Sequence, residues 1–222
     1  MDTSFTEENY LKAIYHLSAD ESKQVNTNQI ATVLNTKAAS VTDMLKKLSG
    51  KNLINYERYQ GVELTGLGKT IALKIIRKHR LWEYFLVEKL AFGWDEVHDL
   101  AEQLEHIQST ELTDRLDEFL GFPKYDPHGD PIPDQSGTIK CAEMKSIAVL
   151  KAGNAGIISG IKEHSSSFLQ YLEKMDLKIG KKIAVEEIIP FDETVVLRTE
   201  NGEKINVSKA AAKYILIQDE QL

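Results

Sequence analysis

The chain has 222 residues, of which 42% are hydrophobic and 27% charged, and a formal net charge of −7. That length accommodates two or three compact units, each with its own core, and the composition excludes a disordered or fibrous chain. No charged-then-apolar leader opens the sequence and no apolar run reaches bilayer length, so a cytoplasmic protein with no membrane partner is expected. Cys141 stands alone, which excludes an internal disulfide and a thiolate zinc cage and leaves it as a small apolar residue.

The net charge hides an asymmetry. From Val25 to Arg80 ten basic residues face three acids, a balance of +7; from Leu81 to Ser136 three basic residues face fourteen acids, a balance of −11. A basic block beside an acidic one joins a polyanion-binding part to a cation-binding part.

In chain order, residues 6–18 read as a helix with Thr6 as N-cap and an apolar stripe of Tyr10, Leu11, Ile14, Tyr15 and Leu17. Asn26-Thr-Asn-Gln29 is a capping arrangement that opens a short helix. A polar turn, Asn35-Thr36-Lys37, leads into a third helix from about Ala38 to Ser49, with Gly50 as its C-cap. Val41, Leu45 and Leu48 face the core there, and Ala39, Ser40, Thr42, Asp43, Lys46 and Lys47 stay outside. This is a helix-turn-helix whose second helix enters the major groove. Leu53 to Thr65 supplies a wing of two short strands turning at Tyr59-Gln60-Gly61, and Thr65 caps a long helix.

The segment His98-Asp-Leu-Ala-Glu102-Gln-Leu-Glu105-His106 carries four donors at spacings of four, three and one, which a helix gathers on one face. Carboxylate and imidazole together suit a divalent transition metal, whereas a solvated polar face is the plain alternative. Four of the five prolines fall between Pro123 and Pro133 and mark a boundary. Trp82, Phe85, Leu86, Leu90, Phe92 and Trp94 before it are candidates for an interface between subunits. Beyond it, short apolar stretches at 147–150, 156–161, 182–189, 194–198 and 214–217 are punctuated by glycines and suit a small β-barrel, with a short helix at 168–172.

The expected fold is mainly α with a small β part. It divides into a winged helix-turn-helix at 1–72, a donor-rich helical domain at 73–136 with a Pro-rich linker at 121–136, and a small β-barrel at 137–222. Two other classes compete with a metal-dependent regulator. A di-metal enzyme of the helical-bundle type needs two Glu-x-x-His pairs, and this chain has only Asp95-x-x-His98. A metal-independent, ligand-responsive winged-helix regulator leaves the donor-rich segment unexplained. No nucleophile-base constellation or phosphate-binding glycine loop is present, so no enzyme is expected.

The chain resembles the diphtheria-toxin-repressor family of iron- and manganese-dependent transcriptional regulators. The resemblance rests on Thr6-Glu-Glu-Asn-Tyr10 through Tyr15, Ser40-Val-Thr42, Leu64-Thr65-Gly-Leu-Gly68, Arg77-Lys-His79 through Glu83, Val97-His98 through His106, and Pro127-His128-Gly129-Asp-Pro131-Ile-Pro133. It implies a homodimer that binds a palindromic double-stranded DNA operator when loaded with Mn²⁺ or Fe²⁺, with a dimerisation and metal-binding role for the domain at 73–136 and an SH3-like fold for the β-barrel at 137–222. It also implies a principal metal site at Glu102, Glu105 and His106 with a ligand from the first helix, where Asn9 stands in place of aspartate or methionine. Glu102, where iron-responsive members carry cysteine, points to Mn²⁺. Lys12, where regulators with paired ions carry glutamate, repels a second cation and argues against a closely spaced pair. A second site is implied at His79, Glu83 and His98, with Asp126 and His128 as further candidates. The C-terminal domain resembles the SH3-like FeoA domain, with Glu163 or His164 nearest the position of an added ligand. On DNA, Lys37, Lys46, Lys47 and Arg58 meet phosphates, Thr36, Ala39, Ser40, Thr42 and Asp43 lie near base edges, and Tyr59 belongs to the wing.

Overall fold

The computed structural model describes residues 3–18, 24–57, 61–140 and 142–219. The expectations for Arg58, Tyr59 and Cys141 lie outside the described residues. The chain forms two compact units: Met1–His79 with Glu102–Leu116 and Pro133–Thr138, and Arg80–Ala101 with Asp117–Ile132 and Ile139–Leu222.

The first unit opens with three helices, α1 (Phe5–Ser18), α2 (Thr27–Val33) and α3 (Ala38–Gly50), and a two-stranded antiparallel wing, β1 (Ile54–Glu57) and β2 (Gly61–Leu64). α2 starts where Asn26 accepts from the Asn28 and Gln29 amides, while the Gln29 side chain accepts from the Asn26 amide; this is a complete capping box. Between α2 and α3, Asn35 takes φ 45°, a left-handed turn that asparagine tolerates. Leu11, Ile14, Ile30, Val41, Leu45, Leu48 and Leu53 are wholly buried in one core, so the four-and-three spacing of α3 lands where the sequence puts it.

The end of α3 differs from expectation. Gly50 remains helical, and the chain reverses at Asn52, with φ 57°, where Leu53 donates to the Leu48 carbonyl at 3.0 Å. Asparagine also takes this conformation readily, and here it does the work expected of glycine. Thr65 accepts from the Gly68 amide at 3.1 Å and so opens the 25-residue helix α4 (Gly66–Leu90). A Cβ on Gly68 would sit 1.9 Å from the Leu53 carbonyl oxygen, so only glycine lets the wing pack on this helix.

Helices α5 (Val97–Leu104) and α6 (Thr110–Phe119) follow, each contributing residues to both units. Of the aromatic and aliphatic interface candidates, Leu86 is buried and Trp94 packs against the core of the second unit, while Leu90 and Phe92 are exposed. The second unit is built on a six-stranded antiparallel sheet in the order β3-β8-β4-β5-β6-β7. Its strands are β3 (Lys145–Ser146), β4 (Ala155–Ile161), β5 (Lys182–Ile188), β6 (Val195–Thr199), β7 (Lys204–Val207) and β8 (Ile215–Asp219). Helices α7 (Ser166–Lys174) and α8 (Lys209–Ala212) complete it. Bulges at Ile158/Gly160 and Val185/Glu187 bend the sheet around a core that includes Ile147, Leu169, Leu177 and Leu197. Two details depart from the sequence reading. Ile147–Val149 is a 3-10 turn capped by Ser146, not a strand, and Lys204–Val207 is a strand with alternating burial that the sequence reading passed over.

Candidate metal centre

In the first unit the donor-rich segment meets α1. α5 ends at Leu104, so Glu105 and His106 lie in the turn beyond it and the four donors do not share one helical face as expected. The turn frees Glu105 and His106 to face α1 and α4, whereas His98 faces Glu83 in the second unit. Glu105 is wholly buried; His79 donates Nδ1–H to it at 2.6 Å and the Lys12 ammonium donates to both its oxygens at 2.8 Å. Lys12 also donates to Glu102. Burial pushes the Glu105 carboxyl up, but the His79 hydrogen bond and the Lys12 charge outweigh it and hold the group below its usual range.

His106 donates Nδ1–H to Glu8 at 2.6 Å, and Gln108 donates to the other Glu8 oxygen at 2.7 Å. Because a carboxylate only accepts, this bond places a proton on His106 Nδ1 and turns Nε2 toward Glu105, 3.8 Å away. Phe5 stacks on the ring at 4.6 Å. The sequence reading missed Glu8. Glu7 and Glu8 look like ordinary acids in a first helical turn, where the dipole favours them, and only their burial distinguishes them.

The residues fit a hard or borderline divalent cation. His79, Glu102 and Glu105 each offer an atom within 4.8 Å of the others. Asn9, the amide expected as a first-helix donor, has a buried Oδ1 with no hydrogen-bond partner among the described residues.

The second unit holds another donor group. Glu83, Asp126 and His128 are all buried and offer atoms within 4.8 Å of one another. His98 Nδ1 lies 3.4 Å and His128 Nδ1 3.8 Å from Glu83, while His128 donates Nε2–H to the Trp94 carbonyl at 2.8 Å. Burial disfavours a charged His128, but the Glu83 hydrogen bond and the Glu83 and Asp126 charges raise it to about 9. Burial, with Asp130 and Glu83 nearby, pushes Asp126 up to about 7 against the opposing pull of Arg80 and His128. Of the two C-terminal candidates, His164 lies beside this group, its ring 5.0 Å from that of His128, with Nε2–H donated to the Ile161 carbonyl. Glu163 instead accepts from the Ser165 amide at the start of α7.

Thr36 and Lys37 in the turn before α3, and Ala39, Ser40, Asp43, Lys46 and Lys47 on α3, are exposed. Thr42 is half-buried and donates to the Ala38 carbonyl, Asp43 pairs with Lys46 at 3.2 Å, and Lys47 approaches the buried Glu7 at 3.3 Å.

Residues 2–62 match the iron dependent repressor N-terminal DNA binding domain, residues 65–134 the iron dependent repressor metal binding and dimerisation domain, and residues 145–219 the FeoA domain. A solved structure described as a manganese-dependent transcriptional repressor in complex with manganese is 31% identical and superposes with a TM-score of 0.87, covering 96% of this chain and 99% of that one. The iron-dependent repressor IdeR of Mycobacterium leprae is 27% identical over 92% of this chain and 97% of its own length. The diphtheria toxin repressor of Corynebacterium diphtheriae is 26% identical over 96% and 97%. The chain therefore belongs to the diphtheria-toxin-repressor family of metal-dependent DNA-binding transcriptional repressors, in the long form that ends in an SH3-like FeoA domain.

Proposed function

We propose that the chain is a Mn²⁺-activated repressor that binds a palindromic operator as a homodimer and controls genes of metal-ion uptake, with Fe²⁺ as the alternative activating ion. The observation that carries this reading is the carboxylate and imidazole group of His79, Glu102 and Glu105, with no sulfur among them. Hard oxygen donors favour Mn²⁺ where a thiolate would favour a softer ion. The manganese-bound relative supports Mn²⁺; the iron-dependent ones are the reason Fe²⁺ stands as the alternative.

Glu102, Glu105, His106 and Asn9 hold the principal ion, with His79 turned to Glu105 from α4. Glu83, His98, Asp126 and His128 hold a second, with His79 one turn before Glu83 on the same helix and His164 as the nearer C-terminal candidate. When bound, the ion would supply the positive charge that offsets the repulsion of the Glu102 and Glu105 carboxylates. Glu8 orients His106, Asn9 supplies α1's own donor, and these contacts tie α1, and the helix-turn-helix packed on it, to the segment after α5. The DNA-competent arrangement gains only as much as its affinity for the ion exceeds that of the alternatives. Lys37, Lys46, Lys47 and Arg58 then meet phosphates, while Thr36, Ala39, Ser40, Thr42 and Asp43 approach base edges and Tyr59 rides on the wing. A regulator of this kind works beside the chromosome, in the cytoplasm, and has no catalytic role. Among the described residues no helix is long and apolar enough to cross a membrane.

The test is an operator-binding titration of metal-free protein with Mn²⁺, Fe²⁺, Co²⁺ and Zn²⁺ at one fixed salt concentration. Half-maximal binding at the lowest free concentration with Mn²⁺, relative to what the cell maintains, supports the assignment; equal binding with and without metal refutes it.

A further inference from the structure

We propose that Lys12 is a tethered cation that occupies part of the metal cradle, so that a divalent ion competes with its ammonium for Glu102 and Glu105 and no more than one such ion is held there. In the metal-free protein the same ammonium keeps α1 attached to the segment after α5. The proposal rests on Glu105 being a metal ligand.

The geometry is that of an ion already seated. The Lys12 side chain is 12% exposed, Glu105 is fully enclosed, and the ammonium touches both Glu105 oxygens at 2.8 Å as well as Glu102. A compact ammonium with three donors is a point charge that spreads over three carboxylate oxygens without needing a planar fork. His79 approaches Glu105 from α4 at 2.6 Å, so the carboxylate is enclosed by positive and proton-donating groups from two helices. A lysine carried on α1 pays no association entropy, whereas a free ion does, so at low metal concentration the ammonium has the advantage. A divalent ion brings twice the charge, but it must either displace the ammonium from Glu102 and Glu105 or share them with a like charge a few ångströms away. Lys12 therefore sets how much metal is needed before the site fills, and it excludes a second ion beside the first.

The experiment uses the full-length chain stripped of metal. Free Mn²⁺ is followed by electron paramagnetic resonance during titration of the wild type and of Lys12→Met, Lys12→Gln, Lys12→Arg and Glu105→Gln, and the melting temperature of each metal-free protein is recorded. The ion lost in Glu105→Gln defines the site. That ion should bind at least tenfold more tightly to Lys12→Met and Lys12→Gln than to the wild type, and both neutral variants should melt at lower temperature without metal. Lys12→Arg, which keeps the charge, should retain weak binding and the higher melting temperature. Having two neutral replacements of different polarity keeps the test open if one of them folds poorly. Wild-type Mn²⁺ affinity at this site, or an unchanged metal-free melting temperature, in a folded neutral variant overturns the proposal while leaving the metal site itself standing. If Glu105→Gln retains every ion, the metal reading fails, and the proposal with it.

Discussion

Glu8 and His106 meet at 2.6 Å, Oε2 to Nδ1, and this bond fixes which imidazole nitrogen is left to face Glu105. Carboxylates that orient a ligating histidine usually contribute one to two orders of magnitude in metal affinity. Glu8→Ala should therefore weaken binding of the ion held by Glu105 by about 10–100-fold while the dimer stays folded. Calorimetric titration with Mn²⁺ measures it, and undiminished affinity would show that His106 is oriented by something else.

Glu7, the other buried acid of α1, pairs with Lys51 at 2.7 Å and Lys47 at 3.3 Å. Burial alone would raise its pKa, but the Lys51 hydrogen bond, the Ser4 amide and Lys47 bring it down to about 2 from an ordinary value of 4.5. Because the folded value is the lower one, the stabilisation is fully present above pH 4.5 and is lost as pH falls through about 2. Glu7→Gln should cost about 1–3 kcal/mol at neutral pH. Denaturant unfolding across a pH series should show that gap shrinking steadily below pH 4.5; a gap independent of pH contradicts the pairing.

Lys46 lies on the exposed side of α3, paired only loosely with Asp43 at the surface. If it meets a phosphate, Lys46→Ala should weaken binding about equally on different operator sequences and reduce the magnitude of the salt slope by about one. Anisotropy measurements at several salt concentrations decide this, since a sequence-selective loss with an unchanged slope would make Lys46 a base reader instead.

Gly129 stands between Asp126, His128 and the sheet. It has φ +86°, and a Cβ there would lie 2.2 Å from the Ser159 carbonyl oxygen. Gly129→Ala should destabilise the second unit by about 2 kcal/mol or more through backbone strain and overlap, and loosen the Glu83–Asp126–His128 group. Wild-type melting and wild-type metal stoichiometry in this variant would contradict that role.

The parts of the fold governed by short-range rules were legible in the sequence. The Asn26 capping box, the Val41-Leu45-Leu48 stripe and the Thr65 cap each follow from contacts within a few residues. Gly50 misled because asparagine two residues later takes the left-handed turn in its place. The metal centre was legible in its donors and not in their grouping. Helical spacing put Glu105 and His106 on one face with His98 and Glu102, but α5 stops at Leu104 and the last two donors lie in the turn beyond it. Glu8 and the seating of Lys12 depend on residues about ninety positions apart in sequence, beyond the reach of any local pattern. From the sequence alone the Lys12 charge argues only against a second ion, whereas the fold seats it against the very carboxylates that would hold the first.

The most direct measurement compares wild type and Glu105→Gln in Mn²⁺-dependent binding to an operator selected from random DNA, with the oligomeric state of both followed by sedimentation. The wild type should gain operator affinity steeply with Mn²⁺, and the variant should remain a folded dimer that gains none. A variant that responds to Mn²⁺ as the wild type does would contradict the claim that a cation gathered around Glu105 switches the protein onto DNA.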